Sequence, residues 1–311
     1  MILLNTLEAL SSRSVPLVVA AGAFDGVHRG HQLLIKEAMQ TALLLKGEAW
    51  VLTFDPHPSK VLHPDNPRRL LTSTPHKLRL FEQIGPDGCV LVPFTREFSS
   101  VEPEDFVERF CRAAPTLSVV IVGTNWTFGR RARGNTPLLR ELAPRYGFEV
   151  KVPEPVLSGG APISSTRIRH AVEQGRLDDL EAMLGRAFSL MGTVTQGRQL
   201  GRELGFPTAN IRLQDEVRPP SGVYVIRADI DGTRHEGAAY LGKRPTAGGQ
   251  DVEHILEAHL FDMNRDLYDT VIEVFFLEKL RPDQRFPNHK ALRAQIARDV
   301  EQAKNWLEKN R

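Results

Sequence analysis

Cysteine is nearly absent, with only Cys89 and Cys111 in 311 residues. Two thiols do not suggest a disulfide framework, a zinc cluster or a CxxC redox pair, and they fit a reducing cytosol. Long hydrophobic runs are missing as well. The apolar stretch 16–21 is too short for a membrane span and carries no cleavage-site pattern. Charge of one sign is missing too: 40 Lys and Arg face 38 Asp and Glu, a net of +2. Such a balance is not a nucleic-acid footprint, and it suits small anionic ligands. The one basic cluster, Arg130, Arg131 and Arg133, reads as a loop near phosphate. No internal repeat or low-complexity stretch occurs. The rest is ordinary for a globular protein, with 41% hydrophobic and 25% charged residues. At 311 residues the chain exceeds what one core usually serves. We therefore expect a cytoplasmic protein of two domains, a monomer or weak homo-oligomer, with neither membrane nor nucleic acid as partner.

The first half alternates two periods. Strand-like runs at 15–21, 49–54, 89–92, 118–122 and 148–152 are separated by helical patterns at 32–45, 74–84, 103–113 and 136–146. The first helix carries Leu33, Leu34, Ala38, Ala42 and Leu45 at helical spacing, and the second turns Leu78, Leu80 and Phe81 inward. This alternation predicts a parallel sheet with helices on both faces, and ligands beyond the carboxyl ends of its strands. Two short helices follow, from Ser164 to about 174 and over 177–184, closed by Gly175 and Gly185. The pattern then changes. Runs at 188–195, 223–229, 236–241, 254–261 and 271–280 are β-branched or alternating and predict a small antiparallel barrel. An amphipathic helix over 290–309, with Leu292, Ile296, Val300, Ala303 and Leu307 on one face, closes the chain. The expected domains are 1–184 and 185–311.

The segment from Gly22 to Gln32 is the most telling. His28-Arg29-Gly30-His31 sits where a strand turns into a helix. Helix-start N–H groups are unpaired and the dipole is positive there, which suits a phosphate. Two imidazoles three residues apart add donors, so a nucleoside triphosphate is the natural guest. A tight turn that uses Gly22, Gly26 and Gly30 only for backbone freedom is the plainer alternative.

Further motifs follow in order: Thr53-Phe54-Asp55-Pro56-His57-Pro58, Val122-Gly123-Thr124-Asn125-Trp126-Thr127-Phe128-Gly129 and Ile163-Ser164-Ser165-Thr166-Arg167-Ile168-Arg169. The second half adds Leu200-Gly201-Arg202-Glu203-Leu204-Gly205-Phe206-Pro207-Thr208-Ala209-Asn210, Gly242-Lys243-Arg244-Pro245-Thr246 and Leu256-Glu257-Ala258-His259-Leu260. Taken together, the chain resembles the bacterial bifunctional riboflavin kinase/FAD synthetase family over nearly its whole length. The resemblance implies an α/β fold: a nucleotidylyltransferase-type, Rossmann-like parallel sheet, then a six-stranded antiparallel riboflavin kinase barrel with a terminal helix. It implies that the C-terminal domain phosphorylates riboflavin to FMN with ATP. The N-terminal domain would adenylylate FMN to FAD and release pyrophosphate. Each step would need Mg²⁺.

Adenylyl transfer needs positioning and charge stabilisation, because the attacking FMN phosphate is already an anion. His28 and His31 would hold the triphosphate, with Gly22, Phe24, Asp25, Gly26 and Gly30 shaping the loop around the nucleotide. Ser164, Ser165 and Thr166 would offer hydroxyls and helix-start N–H groups, and Arg169 lies one turn on. Plain capping is the alternative for the three hydroxyl residues. By resemblance Asn125 lies near nucleotide and flavin, and Phe54, Asp55, His57 and Phe128 face the flavin. A turn asparagine, a rigid proline turn and core aromatics are the respective alternatives.

A hydroxyl acceptor gains from a carboxylate base, and Glu257 is the candidate in the kinase half. Leu256 and Leu260 would face the core and Glu257 the other side, where an ordinary solvent-facing strand residue is the alternative and the resemblance is what favours the base. Thr208 and Asn210 offer oxygen ligands of the kind Mg²⁺ takes. Gly201, Arg202, Gly205 and Phe206 form the preceding loop, and Arg281 resembles the family's flavin-side position. Six residues depart from the family's usual choice: Trp126, Ala132, Tyr240, Ala247, Asp269 and Asp283. At Asp269 glycine is usual, so a turn with positive φ is expected to be altered. Three other readings stay open: an FAD synthetase with an impaired kinase half, a nucleotidylyltransferase of another substrate, and a non-catalytic flavin or nucleotide-binding regulator.

Overall fold

A computed structural model of the chain describes residues 1–197, 200–245 and 252–311, with backbone alone for 200, 243–245 and 252–254. Thr246 and Ala247 lie outside the described residues. Contacts divide the chain into two compact units, Met1–Ser165 and Thr166–Arg311. The boundary expected at 184/185 falls two helices later.

The first unit is built on six parallel strands: β1 (Ile2–Leu4), β2 (Leu17–Ala21), β3 (Glu48–Asp55), β4 (Gly88–Pro93), β5 (Leu117–Ile121) and β8 (Glu149–Lys151). Their order across the sheet is β1-β4-β3-β2-β5-β8. Two short antiparallel ladders complete the set, β6 (Thr127–Phe128) with β7 (Gly134–Asn135) and β9 (Leu157–Ser158) with β10 (Ala161–Pro162). The helices are α1 (Arg29–Leu45), α2 (Pro58–Leu62), α3 (Thr74–Ile84), α4 (Arg96–Ser99), α5 (Pro103–Ala113) and α6 (Thr136–Tyr146).

All five residues of β2 are buried, as expected for a central parallel strand covered on both faces. Its alternation divides the core in two. Val18 and Ala20 pack with Leu34, Ile35 and Ala38 of α1 and Leu80 and Phe81 of α3. Leu17, Val19 and Ala21 pack with Phe106, Phe110, Leu139 and Ala143 of α5 and α6. Helix α1 begins earlier than its apolar periodicity indicates, because Arg29 and Gly30 belong to its first turn. It also ends in open water: Leu43 and Leu44 are 81% exposed and Leu45 is 42% exposed.

Helix α7 (Ser165–Gln174) starts on the last residue of the first unit; the rest of it and α8 (Leu177–Leu184), closed by left-handed Gly175 and Gly185, belong to the second. Six antiparallel strands then form a closed barrel: β11 (Ser189–Thr195), β12 (Ala209–Arg212), β13 (Gly222–Ile230), β14 (Thr233–Pro245), β15 (Val252–Leu260) and β16 (Val271–Pro282). Strand β12 is not among the five strand-like runs expected for the barrel. A one-turn helix, α9 (Leu200–Glu203), precedes it, and α10 (His289–Lys309) ends the chain. Ala303 and Leu307 of α10 pack on Val225 and Ala238 of the barrel. Asp269 keeps the turn its family position calls for, with φ 61. Aspartate is one of the few side chains that tolerate this region.

Candidate active sites

In the first unit the chain leaves β2 through a strained loop. Phe24 has φ 52, Gly26 φ 85 and Val27 φ 40. A β-branched residue at positive φ is held only where packing over-determines it, at roughly 1–3 kcal/mol. The packing is present, since Phe24 and Val27 are each 1% exposed. Asp25 is the brace: its Oδ1 accepts from Leu71 N at 2.8 Å and Thr72 N at 3.2 Å. Gly26 N donates to Thr72 Oγ1 at 3.1 Å. A side chain at Gly26 would meet Leu71 Cδ1 at 2.7 Å. Asp25 was singled out for the nucleotide; in the fold this oxygen binds the protein's own backbone.

The loop delivers His28 as the N-cap of α1, one residue before the first helical turn, with His31 on that turn. His28 Nδ1 accepts from His31 N at 3.3 Å, and the two rings stack 3.6 Å apart. His31 Nδ1 is buried without a hydrogen-bond partner. Burial pushes the His31 imidazole well below its usual range, and His28 and Lys77 push it the same way. Ser165, at the start of α7, donates its hydroxyl to Asp25 O at 3.0 Å. Ser164 is half-buried; Thr166 and Arg169 follow on α7.

The other residues of this half take local roles. His57 caps α2 through Nδ1, which accepts from Ser59 N at 3.1 Å. Asp55 accepts from Thr74 Oγ1 at 2.6 Å, beside a cis Asp55–Pro56 bond. Phe54 packs against Phe94 and Phe98. Phe128 is 8% exposed and stacks on Trp126. Asn125 is exposed in its turn. Arg130 and Arg133 both pair with Glu102, which accounts for two of the three arginines expected near phosphate.

In the second unit a cavity of about 380 Å³ gathers Gly201, Phe206, Thr208, Asn210, Tyr240, Glu257 and Arg281. Asn210 stands directly across the ladder from Glu257, and Tyr240 stands across from Glu257 on its other side. Leu256 and Leu260 are buried as expected, at 1% and 5% exposed, while Glu257 faces the cavity. Glycines keep the oxygen donors clear. A Cβ at Gly197 would lie 2.2 Å from Asn210 Nδ2, and one at Gly201 would lie 3.0 Å from Thr208 Oγ1. Gly205 has φ 86 and turns the loop. Arg202 is exposed and lines a smaller cavity with Thr208 and Met263.

Three residues of the sites escaped the sequence reading. Asp299 of α10 is 3% exposed and holds Arg281 by three bonds of 2.8 to 3.1 Å. Gln295 Nε2 adds a fourth bond to it at 2.8 Å. His259 lines the cavity with Nδ1 against Pro207 O at 2.8 Å, so that nitrogen carries the proton. Lys77 is buried in the first unit. The signal for Asp299 and Lys77 was legible: each is a charge inside the apolar stripe of an amphipathic helix.

Each half of the chain matches a known family. The FAD synthetase family model matches residues 11–167 and the riboflavin kinase model matches residues 184–307. A bifunctional riboflavin kinase/FMN adenylyltransferase of Escherichia coli (strain K12) is 34% identical over 93% of this chain and 92% of its own length. One from Pseudomonas fluorescens is 35% identical over 92% of each. A solved chain described as a macrolide-efflux protein from Streptococcus pneumoniae superposes with a TM-score of 0.83 and 29% identity. It covers 98% of this chain and 100% of that one. Among the described residues no helix is long and apolar enough to cross a membrane. With both family models and relatives of this identity spanning it, the chain belongs to the bifunctional riboflavin kinase/FMN adenylyltransferase family.

Proposed function

We propose that this chain makes FAD from riboflavin in two ATP-dependent steps, with residues 185–311 acting as the kinase and residues 1–184 as the adenylyltransferase. The observation that carries the reading is the ladder pairing of Asn210 with Glu257 in the cavity between the barrel wall and α10, on the same chain as the stacked His28–His31 pair.

In the kinase step Glu257 takes the proton from the ribityl 5′-hydroxyl of riboflavin as its oxygen attacks the γ-phosphorus. ADP leaves and FMN forms. Thr208 and Asn210 would hold Mg²⁺, for which a hard oxygen donor set clear of Cβ atoms is suited. Bound there, the cation neutralises phosphate charge. Arg281, anchored by Asp299, presents its guanidinium to the flavin side of the cavity.

In the second step an FMN phosphate oxygen displaces pyrophosphate from the α-phosphorus of ATP. No strong base is required. His28 and His31 stabilise the triphosphate and the departing pyrophosphate at the α1 N-terminus. Ser164, Ser165, Thr166 and Arg169 complete the phosphate contacts in this reading. Phe54, Asp55, His57, Asn125 and Phe128 stay the flavin-side candidates. The chain works in the cytosol as a monomer or weak homo-oligomer.

The test is product analysis with riboflavin, ATP and Mg²⁺. FMN, FAD, ADP and pyrophosphate together support the reading. FAD from FMN but none from riboflavin would favour an impaired kinase half, to which the Tyr240 side chain in the cavity beside Glu257 gives some weight. Turnover of neither flavin would leave a binding protein.

A further inference from the structure

Lys77 stands out among the buried charges of the first unit. It is 4% exposed, on the face of α3 that also carries Leu80 and Phe81. Its Nζ donates to Thr53 Oγ1 at 3.0 Å, Ala23 O at 3.3 Å and Phe54 O at 3.3 Å. Thr53 Oγ1 itself donates to Ala23 O at 3.2 Å. All three ammonium protons are thus used on neutral acceptors at the carboxyl ends of β2 and β3. Ala23 begins the loop that delivers His28. We propose that Lys77 is a positioning residue for adenylyl transfer: it clamps the start of the His28–His31 loop to the end of β3 and sets a fixed positive charge beneath the phosphate site. The inference rests on the adenylyltransferase reading.

Two arguments support it. A clamp on neutral acceptors needs donors but no charge, and a buried ammonium is costly. Retaining the charge makes sense where several phosphate charges gather at one helix start, because a preorganised charge needs no reorganisation during reaction. The second argument is the neighbourhood. The Lys77 charge adds to burial and to His28 in opposing protonation of His31. The groups facing Lys77 are Asp25 from the loop, Asp55 from β3 and Cys89 from β4, with His31 on α1. Burial pushes Lys77 down to about 8, and burial pushes the Cys89 thiol up to about 12. Cys89 is therefore neutral near pH 7, and Asp25 and Asp55 are the anions that favour the Lys77 proton.

The experiment compares the full-length chain with Lys77→Met, which keeps an unbranched side chain one atom shorter and removes the charge. We expect kcat for FMN adenylylation to fall by about 10- to 100-fold with KM for FMN little changed. Riboflavin phosphorylation stays at the parent rate and serves as the internal control. The parent loses adenylyl transfer as pH rises through about 8, the value for Lys77. The variant lacks that limb, and its His31 NMR signal titrates at higher pH. A folded variant with parent kcat and an unchanged alkaline limb overturns the inference. If Lys77→Met does not fold, Lys77→Gln, which keeps amide donors without charge, is judged by the same readings. If neither folds, Thr53→Val, which removes one acceptor of the clamp, decides: a fall in kcat for FMN adenylylation at unchanged riboflavin phosphorylation supports the inference, and the parent kcat overturns it. A parent that makes no FAD from FMN removes the adenylyltransferase reading and this inference together, whereas an active parent with an unaffected variant removes this inference alone.

Discussion

Single charges in apolar surroundings decide much of this molecule. Asp299 is the sharpest case in the barrel unit, since its carboxylate takes both faces of the Arg281 fork and the Gln295 amide. Asp299→Asn leaves a mostly buried guanidinium without its counter-charge. Charge-assisted bonds are worth about 1.5–3 kcal/mol, so we expect KM for riboflavin to rise by about 10- to 100-fold. FMN adenylylation in the same preparation should be unchanged. His31 gives a second residue-level expectation, in stability. Its folded pKa lies well below 6.5 and its unfolded pKa near that value. Below about pH 6.5 the unfolded chain therefore binds a proton that the folded chain refuses. Stability is fully present above pH 6.5 and is lost as pH falls towards the folded value. Thermal unfolding of the parent between pH 7 and 5 should show this loss, and His31→Gln should remove part of it. Both residues could be seen in the sequence, His31 through its motif. What could not be seen is that His28 Nδ1 would be turned to the His31 backbone, because that depends on the ring's rotamer at the cap.

Elements place these residues, and loops do so more than helices here. The turn between β2 and α1 carries three positive φ values in four residues, 24–27, and depends on a segment 46 residues later for its bonds. Gly26→Ala meets two penalties at once, the φ of 85 and a Cβ placed 2.7 Å from Leu71 Cδ1. We expect a loss of about 1–3 kcal/mol in unfolding free energy. FAD synthesis should fall by more than the stability loss accounts for, because the His28 cap moves with the loop. Helix α10 shows the other side of element-level reading. Its stripe of Leu292, Ile296, Val300, Ala303 and Leu307 is periodic and forms one apolar face. In the fold its C-terminal part packs on the barrel, while Leu292, Ile296 and Val300 line the cavity. An apolar stripe looks the same in sequence whether it meets a core or a ligand, since both remove it from water.

At the scale of the whole molecule, two sites of different architecture share one chain. One lies at the carboxyl ends of parallel strands and the other between the outer face of a closed antiparallel barrel and α10. Separate substitutions should therefore separate the reactions. His28→Ala should reduce FAD formation from FMN by about 100-fold or more while leaving FMN formation from riboflavin intact. Glu257→Ala should lower the kinase rate by about 100- to 10,000-fold and leave the adenylyl step intact. Chromatography of the flavin products from each variant checks both. If His28→Ala stops both steps, the assignment of one reaction to each half fails. Thr208, Asn210 and Glu257 stood out through the resemblance of their motifs to a known family, whereas the sequence by itself determined the βα alternation, the change to barrel strands and the two histidines at a helix start. Those are local signals: hydrophobic period, residue type and spacing. Tertiary structure alone decided that Asp25 braces a loop, that Tyr240 and Asn210 flank Glu257, and that Lys77 joins Ala23, Thr53 and Phe54. These are contacts between segments far apart in the chain, and their geometry exists only once strand register and side-chain rotamers are set.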